Sequence, residues 1–498
     1  MTDSLKKRYT LKLIANIIAG LINIIIVAIV PKALGPIVYG QFVYIQQFFT
    51  QIIAFLDAGT STAFFTKISA NQSRKELISF YFVFSLLLLL TLFGFVYTLE
   101  LSNTLETFLT GIPTNFVYLG VWFGFLTWFT QVYIKISDAY ALTVSVEVVK
   151  ISHKIIMLVA LLYCINSLVF DLQLYFYYHF LSLLVFISVV TLLFFKKGIY
   201  SSDLVNSKIE MKKISLEFLS FSSPLFVFNM IAIGISLFDL WLLQRISGSI
   251  ETGYYGLAYS IAAMCFLFTS AMTPLITREL SKAYAENRVD EMRRLFSRYV
   301  PMLYAIAAYF GAFIAFSSEG LLEIFTDERF KDAHLTLMVI AFYPIHQTYG
   351  QLNSALFFAI EKTTLYRNIG ILSSIIGLVF TFLFIYLFEL GAVGFAWKMI
   401  ISQIIGVNIQ LFVNVIWLKL RFKSFVIHQL YSTIFFMIIA LISTNVLKYS
   451  NDLIANFLVS GIAYTLLVFV GIILMPSIVK TNRQELLALK ERIIQVFT

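Results

Sequence analysis

The chain has 498 residues, of which 60% are hydrophobic and only 13% charged, with a mean hydropathy of +0.88. Soluble domains are nearer half apolar and a quarter charged, so a water-soluble enzyme, a disordered chain and a fibrous protein are excluded. Two cysteines without CxxC spacing exclude a disulfide framework and a cysteine zinc site, and the net charge of +9 points in so apolar a chain to basic cytoplasmic loops rather than nucleic acid.

A membrane-crossing helix needs about 20 mostly apolar residues. Fourteen such runs follow one another: 10–30, 40–63, 76–98, 115–136, 142–163, 172–195, 221–243, 254–276, 299–316, 333–358, 367–387, 392–418, 426–446 and 453–475, here called spans 1 to 14. They are continuous apolar stretches, not the alternating segments of a barrel. The basic run Lys6-Lys7-Arg8 precedes an apolar stretch too long for a signal peptide and without a small-residue cleavage site, so span 1 is expected to be retained. With the N-terminus placed in the cytoplasm, 28 of the 36 Lys and Arg fall on its side of the membrane, including Lys135 in the loop after span 4. Five fall on the opposite side: Lys32, Arg245, Arg329, Lys331 and Lys448. Three, Lys150, Lys154 and Lys398, lie within spans. Both termini are then expected to be cytoplasmic.

After span 1 the sequence reads Lys32-Ala-Leu-Gly35-Pro-Ile37-Val-Tyr-Gly40-Gln-Phe42. After span 7, 213 residues later, it reads Arg245-Ile-Ser-Gly248-Ser-Ile250-Glu-Thr-Gly253-Tyr-Tyr255. A base, two glycines, an isoleucine and an aromatic ring keep their places. Six intervening helices preserve orientation, so a parallel repeat is expected, as in transporters that rock one half against the other. The predicted organisation is an N-lobe of six helices over 1–200, a cytoplasmic linker over 201–220, a C-lobe of six helices over 221–424, spans 13 and 14 over 425–476, and a cytoplasmic tail over 477–498.

The stretch Leu34-Gly35-Pro36-Ile-Val-Tyr39-Gly40-Gln-Phe42 resembles the LGP-x-x-YG-x-F segment that follows the first helix of polysaccharide transporters in the multidrug/oligosaccharidyl-lipid/polysaccharide exporter superfamily. The segment Asp57-Ala-Gly59 resembles their D-x-G at the end of helix 2, and Gly248 to Tyr259 is similar to the second-half motif. Within the superfamily the chain is most similar to O-antigen-type flippases. The resemblance implies an all-α fold of twelve or fourteen helices in two lobes around a central cavity. It also implies a bacterial inner-membrane protein that moves undecaprenyl-diphosphate-linked oligosaccharide, such as a lipopolysaccharide repeat unit, to the outer leaflet. The partners implied are that glycolipid, the bilayer and polysaccharide polymerase machinery, with no cofactor and no nucleic acid.

An ionisable side chain inside a span costs roughly 2.5–3.5 kcal/mol at the helix centre on insertion scales, so each is a candidate for function. Glu147, Lys150 and Lys154 in span 5 share one helix face, beside His153. In a cavity such a face would attract a diphosphate. The alternative is that Glu147 pairs with a lysine at the cytoplasmic boundary. The repeat offset carries Lys154 onto Arg367, suggesting a two-sided basic site. Lys398 in span 12 either meets cargo or snorkels to the interface. Lys32 and Arg245 either hold the head group on the exit side or anchor at outer head groups. Asp239 either couples transport to an ion gradient or simply pairs with Arg245, nearly two turns away, or with a lysine elsewhere; Glu147 is a second coupling candidate and Asp57 a third, for which helix capping is the favoured reading. The aromatic run Tyr175-Phe-Tyr-Tyr178, with His179, invites a sugar-stacking reading, but lipid-facing or interfacial placement is the commoner explanation for such rings. The charged segment 278–298, and the link 209–218, are expected to form amphipathic helices on the membrane surface or simple basic linkers.

These features favour a non-enzymatic flippase with a basic cavity. The alternatives are an ion-coupled multidrug antiporter of the same superfamily, which would need acidic cavity residues, and a glycan polymerase or ligase, for which the outer loops 100–114 and 317–332 hold no compact catalytic set. No P-loop is present in the sequence, which argues against ATP hydrolysis on this chain.

Overall fold

The computed structural model describes residues 5–57, 59–70, 72, 74–140, 142–200, 211–446 and 452–481. Residues 201–210 of the expected linker, with Lys208, and tail residues 482–498, with Arg483, Lys490 and Arg492, lie outside the described residues. Every long element is helical and no strand occurs among the described residues. The chain is a multi-pass membrane protein, with eleven described helices long and apolar enough to cross a bilayer. It divides into two compact units, Met1–Gly253 and Tyr254–Thr498.

The first unit opens with α1 (Leu5–Asp57), which carries spans 1 and 2 without a loop between them. A turn was expected there; instead a single residue, Gly35 (φ 78, ψ 166), breaks the helix, and Pro36 restarts it. That backbone region is essentially closed to residues bearing a Cβ, and proline suits a first helical position because its missing N–H is one of the unpaired donors anyway. Then come α2 (Thr60–Ala70), α3 (Glu76–Leu101), the short α4 (Leu105–Phe108), α5 (Thr114–Ala139), α6 (Thr143–Ser167) and α7 (Leu172–Lys196). The helix α8 (Met211–Ala262) carries span 7 and the start of span 8, and crosses the boundary between the units. It breaks at Gly248 (φ 81, ψ −176). Gly248 is the repeat partner of Gly35 and adopts nearly the same backbone, although no proline follows it.

The link between the halves is the first turns of α8: Lys212 and Lys213 are exposed, while Ile214 and Phe218, one turn apart, are buried with Phe80 and Tyr81 of α3.

The second unit continues with α9 (Phe266–Ala285), α10 (Val289–Phe316), α11 (Ser318–Phe325), α12 (Ala333–Ile340), α13 (Tyr343–Ala359), α14 (Thr363–Thr381), α15 (Gly391–Trp417), α16 (Phe422–Leu441) and α17 (Leu453–Leu474). Its core joins α9, α10, α13 and α15 to α16 and α17 through Phe296, Tyr304, Tyr349, Phe436 and Tyr464. The charged segment 278–298 is not a separate surface helix. It extends α9 and α10 beyond their apolar parts, with a turn only at Glu286–Arg288. Arg288 pairs there with Glu286 and Glu291, and the Arg293 Nε donates to the Leu418 carbonyl (2.7 Å).

Packing follows the repeat within each unit. Span 2 lies on span 4, span 4 on span 6 and span 5 on span 6 in the first; span 8 lies on span 10, span 10 on span 12 and span 11 on span 12 in the second. The offset is 213 residues at the glycine breaks and at the starts of α3 and α10 (76 and 289). It is 219 at α5 and α12 (114 and 333), 220 at α6 and α14 (143 and 363), and 219 at α7 and α15 (172 and 391). The extra residues enter between spans 9 and 10, where α11 has its counterpart in the shorter α4.

Candidate functional site

The basic face of α6 is real in geometry and lies against α1. Lys150 Nζ stands 3.3 Å from the Glu147 carboxylate; Glu147 is 3% exposed, so the acid is held inside the unit while the lysine is partly accessible. Lys154, one turn further on, donates to the Asn23 side-chain oxygen of α1 (3.3 Å). Its Cα lies eleven residues into α6, about 16 Å along the axis at ~1.5 Å per residue, close to the middle of the helix. His153 turns the other way, its Nε2 donating to the Ser182 carbonyl of α7 (2.8 Å) with Phe186 against the ring. The stripe therefore combines one acid, two ammonium groups and one amide, with net positive charge at mid-helix. Asn23 was not singled out in the sequence; a lone amide inside the run Leu21-Ile22-Asn23-Ile24-Ile25 was the available signal.

A second polar cluster sits at the end of α1. Asp57, 8% exposed, accepts hydrogen bonds from Thr60 Oγ1 (2.9 Å), the Ser61 amide (3.1 Å), Ser61 Oγ (2.8 Å) and the Tyr81 hydroxyl (3.0 Å). Binding the Ser61 amide satisfies an otherwise orphaned donor in the first turn of α2, which is what a helix cap does. Lys135 Nζ in turn donates to Ser61 Oγ (2.7 Å). Lys135 is therefore not a loop residue, as expected, but part of α5 and joined to this network.

The remaining candidates are dispersed. Lys32 is exposed on α1, three residues before its break. Arg245 is exposed on α8, its guanidinium 5.5 Å from the centre of the Trp241 ring and 3.4 Å from the Thr107 carbonyl. Asp239 is 3% exposed in α8. In the second unit Lys398 is 9% exposed, with its ammonium over the Phe395 ring (5.3 Å) and its stem beside Gly377 of α14. Arg367 lies four residues into α14 and bonds its neighbour Asn368 (3.1 Å). The expected equivalence of Lys154 and Arg367 does not hold: one is eleven residues into its helix and the other four, because the offset here is 220. Ser374 takes the place of Lys154 in the second half, so the basic stripe belongs to the first unit alone.

Lys398 instead corresponds to His179, each seven residues into its helix. Each sits in an equivalent aromatic nest. His179 is stacked on Phe42 (5.4 Å), with Tyr175 and Phe176 adjoining; Lys398 lies on Phe395, which meets Tyr255, the repeat partner of Phe42, at 4.6 Å. Tyr175, Phe176 and Tyr178 are buried and face the core of the unit rather than lipid, while Tyr177 of the same run is 49% exposed, as expected of a lipid-facing ring. Among the described residues no group of three or more His, Cys, Asp or Glu side chains is arranged to hold a metal.

Among solved structures the chain is similar to a lipid II flippase MurJ in an inward closed conformation, with a TM-score of 0.69 at 13% identity over 93% of this chain and 98% of that one. It is also similar to an inward-facing multidrug resistance MATE family transporter of the MOP superfamily (TM-score 0.57, 16% identity, 85% and 96% covered). A MOP superfamily transporter from Pyrococcus furiosus, described as having a binding pocket of reversed polarity, gives a TM-score of 0.56 at 16% identity over 85% and 97%. At these identities the likeness establishes the fold. No protein-family model and no curated protein matches the sequence.

Proposed function

We propose that this chain is a flippase that carries an undecaprenyl-diphosphate-linked oligosaccharide, an O-antigen-type repeat unit, from the cytoplasmic to the outer leaflet of a bacterial inner membrane. The observation that supports this most is the placement of Lys154. Its ammonium lies near the middle of a transmembrane helix and has an amide, not a carboxylate, against it. Such a cation is costly to hold in hydrocarbon unless water or an anion meets it. Lys150, one turn away, spends part of its charge on Glu147. A diphosphate entering this face would supply the missing negative charge, and a lysine ammonium is a point-charge partner for phosphate.

Alternating access would expose the face first to the cytoplasm and then to the outside. An inside-negative membrane drives anionic cargo outward, by about 2.3 kcal/mol per unit charge per 100 mV. This cargo site rests on α6 and α1; Arg367 and Lys398 are not required for it. The likeness to a lipid II flippase agrees with a lipid-linked cargo.

The test uses proteoliposomes loaded with a fluorescent polyprenyl-diphosphate oligosaccharide. Leaflet exchange should exceed that of empty liposomes and fall sharply in the Lys150→Ala/Lys154→Ala double variant. Exchange no faster than in empty liposomes would remove the flippase assignment, and equal rates in both proteins would remove the basic site. Uptake of an organic cation against a proton gradient by the same vesicles would favour the multidrug reading.

A further inference from the structure

A second feature of the first unit is a cavity that none of the basic-stripe residues lines. It encloses about 630 Å³ between the second half of α1, α3 and α8. Phe48, Phe55, Phe95, Phe238 and Trp241 supply most of its wall, and several of these rings are some two-fifths exposed, so the cavity is open at its side. Its few polar groups are already used. The Thr91 hydroxyl donates to the Leu87 carbonyl (2.8 Å) and the Trp241 indole N–H to the Thr107 carbonyl (2.6 Å). Water gains nothing in such a space, because a buried water needs two to four polar partners. A hydrocarbon chain fits it chemically.

At one end of this cavity the wall changes character. Arg245 lies one helical turn beyond Trp241, exposed, with its guanidinium 5.5 Å from the centre of the indole and a single long contact to the Thr107 carbonyl. Among the described residues no carboxylate forms an ion pair with it, Glu106 of the neighbouring α4 included. An aromatic ring with an exposed guanidinium beside an apolar slot matches an amphiphile with an anionic phosphate head, since arginine binds phosphate through two parallel N–H bonds.

The size of the slot selects among such amphiphiles. If each methylene takes roughly the ~30 Å³ share of a liquid water molecule, the cavity holds about twenty of them. That is one acyl chain of a glycerophospholipid and well short of an undecaprenyl chain. We propose that this slot is a binding site for an anionic glycerophospholipid, with one acyl chain between α1, α3 and α8 and its phosphate on Arg245. The proposal is independent of the flippase reading, because it concerns a resident lipid and needs no transport.

The experiment reconstitutes the full chain in phosphatidylcholine vesicles doped with phosphatidylglycerol bearing a photoactivatable group midway along one acyl chain. Cross-linked peptides are then mapped by mass spectrometry. Label is expected on 48–56 and 234–241 above that on 453–474, a helix with most of its apolar side chains exposed. Gly234 borders the slot and a Cβ there would meet nothing within 4 Å, so Gly234→Leu starts its side chain into open space, and it should abolish the label while leaving the melting temperature intact. Arg245→Gln should lower labelling by phosphatidylglycerol about tenfold, the worth of one charge-assisted hydrogen-bonded contact, and lower labelling by a phosphatidylcholine probe by less, because its choline ammonium already offsets the phosphate charge. Label spread evenly over all lipid-facing helices, or unaffected by Gly234→Leu, would overturn the site. Displacement by polyprenyl phosphate at lower concentration than by phosphatidylglycerol would overturn the choice of lipid.

Discussion

Gly40 and Gly253, the second glycines of the two repeat motifs, face each other across a backbone-to-backbone contact. A Cβ on Gly40 would stand 2.9 Å from the Gly253 amide nitrogen and would collide with the Ser249 carbonyl; a Cβ on Gly253 would collide with the Pro36 carbonyl. The motif thus marks two things at once. Its first glycine breaks the helix, at Gly35 and Gly248, and its second lets the two restarted helices touch.

Gly40→Ala should therefore destabilise the protein by ~1–3 kcal/mol, the cost of overpacking where the neighbour is backbone and cannot rotate away. Gly94 in α3 is the control. A Cβ there meets nothing, so Gly94→Ala should be neutral or stabilising by up to ~1 kcal/mol through helix propensity. Thermal unfolding of the two variants in one detergent compares them directly. Equal melting temperatures would mean that the contact is looser than described.

Asp57 accepts four hydrogen bonds in a buried setting, so its removal strands several donors together. Asp57→Ala should cost about 2–4 kcal/mol, and Asp57→Asn less because one oxygen acceptor survives. Lys135 joins the same network through Ser61, so the double variant Asp57→Ala/Lys135→Met should cost less than the sum of the two single ones. Strict additivity in a double-mutant cycle of melting curves would separate Lys135 from the cluster.

Much of this architecture was readable in advance, because a run of twenty apolar residues has few alternatives in a membrane protein. The helix breaks at Gly35 and Gly248 were located as turns, though not as single-residue interruptions of continuous helices: hydropathy does not distinguish a short loop from a kink. The slip of the repeat from 213 to 219 residues was invisible for a related reason. The six added residues lie between spans, where no glycine motif marks the register, and Lys154 was matched to Arg367 in consequence. Tyr175 and Phe176 are buried against Phe42, and Tyr178 against Tyr175 and His179, instead of facing lipid, since hydrocarbon and protein core select the same side chains. Lys135 reads as a loop residue and Asn23 as a lone amide because the partner of each is distant in sequence.

The loop around α4 is clamped from two sides. Gln41 donates to the Gly111 carbonyl (2.9 Å) and Tyr44 to that of Phe108 (2.5 Å) from α1, while Trp241 and Gln244 of α8 donate to Thr107 (2.6 Å) and Thr110 (3.1 Å). Any motion of α8 away from α1 must release one pair or the other. Gln244→Leu should then loosen the loop, raising amide exchange over 105–111 by about fivefold for the loss of ~1 kcal/mol. Hydrogen exchange read by mass spectrometry gives the answer peptide by peptide. Unchanged exchange in that segment would show that α1 alone holds it.

Glu147 offers the sharpest test of how the basic stripe would work. Its carboxylate occupies Lys150 at 3.3 Å, and an arriving diphosphate must compete with it. Glu147→Gln keeps the shape and removes the competitor, so a fluorescent polyprenyl-diphosphate oligosaccharide should bind more tightly, by about tenfold if one charge-assisted contact of ~1.5 kcal/mol is gained. Transport at saturating cargo should slow, because binding strengthened in the loaded state without equal strengthening of the step that follows deepens the well from which cargo must leave. A reverse order, weaker binding with faster exchange, would show that the acid orients Lys150 for the cargo instead of rivalling it, and Glu147→Asp would then restore the wild-type constants where Gln does not.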